Sequence, residues 1–173
     1  MRPTYETQLL SSFQSIPAIV RDLSSNNYLL RKKAREQLVE IGEPSLNSLI
    51  ELTDNKDETI RWEAILTIVQ IGSLETLDIL MKALEDDEFS IRWLAAEGLV
   101  NLGIFALVPL LQKLRNKPDS TFIRRGAHHV LRELRKKGLF KDNYELLESL
   151  TNEFDHSNIS LKAQKAISSI GLN

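Results

Sequence analysis

Residues 91–103 read IRWLAAEGLVNLG, and the same pattern stands at 60–72 as IRWEAILTIVQIG. Two further copies are LRKKAREQLVEIG at 30–42 and IRRGAHHVLRELR at 123–135, and a looser copy, ISLKAQKAISSIG, occupies 159–171. In the four closer copies an arginine is followed three residues later by an alanine, and these arginines are 30, 31 and 32 residues apart. A fixed period of this length is the sequence signature of a repeat protein.

Each copy has the pattern of the second helix in a helical pair. Apolar residues stand at offsets −1, +3, +7 and +10 from the arginine, which is the period of an amphipathic helix. In most copies a glycine comes next, where a helix end favours a left-handed residue. Amphipathic segments such as SFQSIPAIVRDL precede the copies and predict the first helices. The predicted helices span residues 5–23, 27–41, 44–53, 57–71, 73–85, 88–102, 104–116, 120–137, 140–152 and 157–170.

These pairs predict the fold class. One pair cannot bury its apolar stripe alone, whereas stacked pairs share a continuous core. The sequence therefore predicts an all-α solenoid, a right-handed α-α superhelix of about five antiparallel helix pairs. We expect a single domain over 1–173, with repeats at about 5–42, 43–72, 73–103, 104–138 and 139–171.

The composition is that of an ordinary soluble protein. There are 22 Lys and Arg residues against 24 Asp and Glu, so the net charge of −2 gives no general attraction to nucleic acid or anionic membranes. The absence of cysteine excludes disulfides and thiolate metal sites. No apolar run approaches the roughly 18–20 residues of a membrane span. We expect a cytoplasmic location.

The segments Asp57–Gly72 and Asp87–Gly103 resemble HEAT repeats, specifically the short HEAT-like subclass of the phycobilisome-lyase type. The resemblance extends over nearly the whole chain. It implies the fold, but such repeats serve as scaffolds, chaperones, lyase subunits and a few enzymes, so it leaves the function open. It also implies a structural role for the repeat arginines, because this arginine ties the inter-repeat turns together in HEAT-like proteins. Those residues are Arg31, Arg61, Arg92 and Arg124.

A metal site is not predicted. The candidate ligands are His128, His129 and His156, but adjacent helical residues point about 100° apart and cannot share an ion as an i, i+4 pair can. HEAT-like deoxyhypusine hydroxylases bind iron through His-Glu dipeptides, and this chain contains none. We therefore expect no metal and no cofactor.

Catalysis and nucleic-acid binding are also not predicted. The chain has no phosphate-binding glycine loop, no G-x-S-x-G motif and no Cys–His pair, and most carboxylates are expected in turns or on solvated helix faces. HEAT-like DNA glycosylases make DNA binding a remote alternative, supported by the basic run at 132–141. The acidic run EDDE at 85–88 argues against it. The prediction is that the protein is not an enzyme.

A binding surface is predicted on the side of the second helices opposite the core. Offsets +1, +5 and +8 lie roughly 145–165° from the core positions. In HEAT-like solenoids these helices line the concave surface, which would carry an apolar aromatic floor and a basic wall. Its predicted residues are Trp62, Leu66, Val69, Trp93, Glu97, Val100, Arg125, His129 and Arg132. Alternatively, each tryptophan packs against the helix of the next repeat as a spacer.

Two functions remain. The first is a non-catalytic scaffold that binds a helical or extended segment of a partner protein on this surface, where tryptophan and arginine are typical binding hot spots. The alternative, implied by the subclass resemblance, is a subunit of the phycobilin-lyase type that handles a bilin or a phycobiliprotein. Bilins need aromatic walls and arginines for their propionates, so a bilin would be the ligand only under this alternative.

Overall fold

The computed structural model describes residues 15–141, 144–151 and 158–170, and every regular element in them is helical. The α-helices, in chain order, are α1 Ile16–Leu23, α2 Tyr28–Ile41, α3 Leu46–Leu52, α4 Glu58–Ile71, α5 Leu77–Ala83, α6 Phe89–Leu102, α7 Ile104–Asn116, α8 Thr121–Lys136, α9 Tyr144–Thr151 and α10 Ile159–Ile170. Short 3-10 turns, Glu43–Ser45 and Leu74–Thr76, precede α3 and α5. The all-α solenoid class is confirmed.

The predicted spans agree with the observed helices to within a few residues. The main difference lies in the first helices of two pairs, where a 3-10 turn replaces the predicted first α-helical turn. In the second case the hydroxyl of Ser73 accepts a hydrogen bond from the backbone N–H of Glu75, which fixes the start of the turn. Of the predicted helix 5–23, the part before residue 15 lies outside the described residues.

The chain divides into two compact units, Met1–Ile71 and Gly72–Asn173. The boundary falls at the end of the second repeat. Within the first unit, the core includes Leu23, Leu38, Leu49, Ala64 and Ile68, all of which are buried. Within the second, the buried core residues include Leu80, Ile91, Ala95, Leu99, Leu107, Ile123, Ala127 and Leu131. That the two units form a single domain stays a prediction.

The repeat arginines bind the turn that precedes their own helix. In each case Nη1 donates to the carbonyl oxygen of the residue six positions earlier: Arg31 to Ser25 at 2.9 Å, Arg61 to Asn55 at 3.0 Å, Arg92 to Asp86 at 2.6 Å and Arg124 to Pro118 at 3.5 Å. These bonds satisfy carbonyl groups that the turn leaves without a helical partner. The recurrence of arginine in the sequence therefore has a common local geometry.

One carboxylate does not lie on a solvated face. Glu63 in α4 has a side chain only 1% exposed, and its Oε1 accepts a hydrogen bond of 2.9 Å from Nε of Arg31. Its Oε2 accepts from Arg35 on the same helix, α2. A buried carboxylate needs such partners because an unpaired charge in the interior is costly. Glu63 is thus an exception to the expectation that most carboxylates lie in turns or on solvated helix faces.

Membrane insertion of the described helices is not supported by their length and polarity. None of them combines the length and apolar character needed to cross a bilayer.

Candidate functional site

A cleft of about 150 Å³ opens on the second unit between α6 and α8. Both helices contribute aromatic and cationic side chains from their first turns and from the turns that follow. The lining residues are Phe89, Arg92, Trp93 and Ala96 from α6, and Phe122, Arg125, Gly126 and His129 from α8. Three of the predicted surface residues, Trp93, Arg125 and His129, are therefore brought together.

Trp93 forms the main aromatic wall of this cleft. Its ring lies 4.5 Å, centroid to centroid, from the imidazole of His129, and 6.4 Å from the ring of Phe89. It nevertheless remains 46% exposed. Trp93 thus contacts the helix of the next repeat, as a spacer would, and also presents a large apolar surface to solvent. Exposed apolar surface of this kind is typical of binding sites.

The imidazole of His129 is held in a fixed position. Its Nε2 lies 2.7 Å from Oε1 of Glu97, a hydrogen bond that joins α8 to α6. The ring of Trp93 covers one side of it. Because both contacts act on one ring, His129 is oriented at the cleft wall. Glu97 is the fourth predicted surface residue that the structure brings to this region.

Arg92 has a second role besides binding its turn. Its Nη1 donates to the carbonyl oxygens of Asp86 and Asp87, at 2.6 and 2.7 Å. The guanidinium carbon lies 4.1 Å from the centre of the Phe122 ring, a cation–π contact that places it on the wall of the cleft. The sequence predicted a structural role for this residue but did not place it in the site.

Gly126, which lines the cleft, allows a close contact between α8 and Leu84. A Cβ atom at this position would lie 2.9 Å from Cδ2 of Leu84, so a side chain would force this neighbour to move. The glycine thus lets α8 approach Leu84 closely.

One carboxylate of the acidic run at 85–88 is paired with two lysines. The carboxylate of Glu85 is bound by Nζ of Lys113 and Nζ of Lys117, at 2.8 and 2.9 Å. Partial burial acts to raise the pKa of Glu85, but the hydrogen bonds and charges of these lysines outweigh it, so the pKa lies below its usual value. Glu85 is thus an ionised and paired carboxylate.

His128 is adjacent to His129 but is not a lining residue. Burial, followed by the nearby charges of Arg132 and His129, lowers the pKa of His128 below its usual value. It is therefore predominantly neutral at pH 7, unlike the arginines of the cleft.

Two predicted surface residues lie elsewhere. Val100 is buried, with 5% exposure, and its carbonyl oxygen accepts a hydrogen bond from Nζ of Lys137. The prediction that it faces solvent was wrong, because Val100 lies where Lys137, the residue after α8, contacts α6. Arg132 is exposed on α8, where it pairs with Glu133 at 3.2 Å, and it does not line the cleft.

Three predicted surface residues belong to the first unit. Trp62, Leu66 and Val69 lie on α4 and are each partly exposed. That these three residues form part of a binding surface stays a prediction.

Sequence reasoning missed Phe89 and Phe122 as cleft residues. Both stand in the first turn of a second helix, three and two positions before a repeat arginine, and both are exposed. Tyr28 occupies the same place before Arg31 and is also exposed. A recurring aromatic residue at a polar helix start was the signal that could have identified them.

In the part of the chain that the structure describes, no group of three or more His, Cys, Asp or Glu side chains is arranged to hold a metal ion. His156, the third candidate ligand, lies outside the described residues.

Comparisons with known proteins support the repeat class. The model of a family described as HEAT repeats matches residues 16–100. No curated protein matches the sequence. Among solved structures, the chain is similar to a chain in the complex of CpcE and CpcF of phycocyanin lyase from Nostoc sp. PCC7120, with 25% sequence identity and a TM-score of 0.59. The alignment covers 87% of this chain and 96% of that chain.

This likeness contradicts one prediction made from the sequence. The protein was expected not to be an enzyme, but the similar solved chain is part of a lyase. The expectation was wrong because it relied on the absence of common catalytic motifs, which do not cover the chemistry of every repeat protein. The periodic arginines and the helical pairs agree with both comparisons, in which the chain is similar to HEAT repeats over residues 16–100 and to a chain of the phycocyanin lyase complex over 87% of its length.

Proposed function

We propose that this protein is a subunit of a phycobilin-lyase-type enzyme and handles the bilin chromophore of a phycobiliprotein. The observation that carries the proposal is the likeness to a chain of the phycocyanin lyase complex, which extends over 87% of this chain and nearly all of the other. A match over almost the full length of both chains favours a shared role more strongly than a match to one or two repeats.

The cleft of the second unit supports the proposal chemically. A bilin is a conjugated chain of pyrrole rings with two propionate groups, and it needs aromatic surfaces and cations. Trp93 and Phe89 supply exposed aromatic surface, and Arg92 and Arg125 supply positive charge beside it. At about 150 Å³ the cleft is smaller than the 300–1,000 Å³ of typical small-molecule pockets. It therefore holds one part of the chromophore.

A protein partner belongs to the same proposal. The similar solved chain was found in a complex of two subunits. We infer that this chain also works with a second protein subunit, and that the phycobiliprotein is its macromolecular substrate.

The test is to titrate the purified protein with free phycocyanobilin and record the visible absorption. We expect a new absorption band that saturates at one chromophore per chain, because a chromophore that moves from water to a fixed aromatic site changes its conformation and its surroundings. The protein unfolded in urea is the control and should give no new band. A spectrum equal to the sum of protein and free chromophore would contradict the proposal and favour a scaffold that binds only protein.

A further inference from the structure

We propose that Arg92 recognises a carboxylate of the ligand in the cleft and makes the site selective for the free acid of a conjugated ring compound. The inference rests on the proposed function, and it assigns to Arg92 the propionate of one bilin ring.

Equivalent positions in the two units carry different side chains. In the first unit, Glu63 stands two residues after the repeat arginine Arg61 and binds Arg31, the arginine of the preceding repeat. In the second unit the equivalent of Glu63 is Gly126, two residues after Arg124, and the equivalent of Arg31 is Arg92. Gly126 has no side chain. The internal carboxylate that balances Arg31 is therefore absent where Arg92 lies.

The positive charge of Arg92 is available to an anionic ligand. In the described part of the chain, no carboxylate lies within ion-pair distance of its guanidinium, and its hydrogen bonds all come from Nη1. Nε and Nη2 therefore keep their donor capacity for a ligand. An arginine binds a carboxylate through two parallel N–H groups, and Nε with Nη2 is one such pair.

The guanidinium of Arg92 is held firmly by its neighbours. Two carbonyl oxygens bind Nη1 on one edge, and the ring of Phe122 supports its face at 4.1 Å. An arginine fixed in this way loses little conformational entropy when a ligand binds. The geometry is that of a preorganised anion receptor.

Aromatic side chains beside Arg92 can bind the rest of the ligand. Trp93 and Phe89 stand beside Arg92 in the same cleft and offer flat apolar surface to a ring. Two carboxylates of this unit already have other partners, because Glu97 is bound to His129 and Glu85 is bound to two lysines. A ring that bears a carboxylate matches both features, and the cleft has room for one such ring.

The experiment compares phycocyanobilin with its dimethyl ester, which keeps the rings but lacks the two charges. We expect the unaltered protein to bind the free acid at least tenfold more tightly than the ester, measured by absorption titration. In Arg92→Lys the preference should fall below about threefold, because lysine keeps a positive charge but cannot form the two-point contact. Ester binding should be unchanged.

Arg61→Lys is the matched control, since Arg61 makes the same turn hydrogen bond in the unit that lacks this cleft. It should keep the full preference for the acid. Equal binding of acid and ester by the unaltered protein would overturn the assignment of Arg92 while leaving the proposed function intact. Retention of the preference in Arg92→Lys would overturn it as well. Binding of neither compound would overturn the proposed function, and the inference with it.

Discussion

Trp93→Ala should weaken phycocyanobilin binding by about thirtyfold or more. Aromatic side chains at the centre of a binding site cost about 2–4 kcal/mol when truncated, and each 1.4 kcal/mol is a factor of ten in affinity. The folded state should lose only about 1–2 kcal/mol, less than the roughly 3–5 kcal/mol of a fully buried aromatic residue, because Trp93 is nearly half exposed and packs on His129 and Phe89. Absorption titration and a urea denaturation curve measure the two quantities separately.

Phe105→Ala is the matched control for Trp93→Ala. Phe105 is 59% exposed on α7 of the same unit and does not line the cleft. Its truncation should leave chromophore affinity within about twofold, since it removes exposed aromatic surface at another place. If Trp93→Ala and Phe105→Ala weakened binding equally, the cleft would not be the chromophore site.

Glu63→Ala should lower the free energy of unfolding by about 3–5 kcal/mol, the usual cost of removing one partner from a buried ion pair. Its carboxylate bridges Arg31 and Arg35, and its removal leaves two poorly exposed guanidinium groups without a counter-charge. Glu63→Gln keeps the shape and one acceptor but not the charge, so it should fall between Ala and the unaltered protein. The midpoint of urea unfolding, followed by circular dichroism, measures the series.

Glu36→Ala is the control for this series, because Glu36 is exposed and lies 3.9 Å from Lys32. Exposed pairs of this kind contribute about 0.2–1 kcal/mol at most. An unfolding midpoint for Glu63→Ala equal to that of Glu36→Ala would mean that the buried ion pair contributes nothing to the stability of the first unit.

The helices could be predicted from the sequence because the same residue pattern recurs in each repeat. The arginine, the alanine three residues later and the apolar period recur in four copies, so one ambiguous copy is corrected by the others. Val100 was misplaced because the projection of a single helix cannot show that Lys137, thirty-seven residues later, contacts it. The position of a residue on a helical wheel predicts the direction of its side chain but does not predict which residues pack against it.

The cleft was only partly predictable for a related reason. Trp93 and His129 were identified from their offsets, but their contact depends on the packing of α6 against α8. The roles of Arg92 and Gly126 follow only from a comparison with Arg31 and Glu63. The ion pair between Arg31 and Glu63 cannot be seen in the sequence. A glycine in a repeat copy is informative when the side chain that it replaces has a known contact.

The most direct test of chromophore binding in the cleft is the proton–nitrogen NMR spectrum of the protein during titration with phycocyanobilin. The chain has two tryptophans and therefore two indole N–H signals, and Trp93→Phe assigns them by removing one. We expect the Trp93 signal to shift and to saturate together with the new absorption band, since the ring lies in the wall of the site. A Trp93 signal that keeps its position while the chromophore binds stoichiometrically would contradict the account.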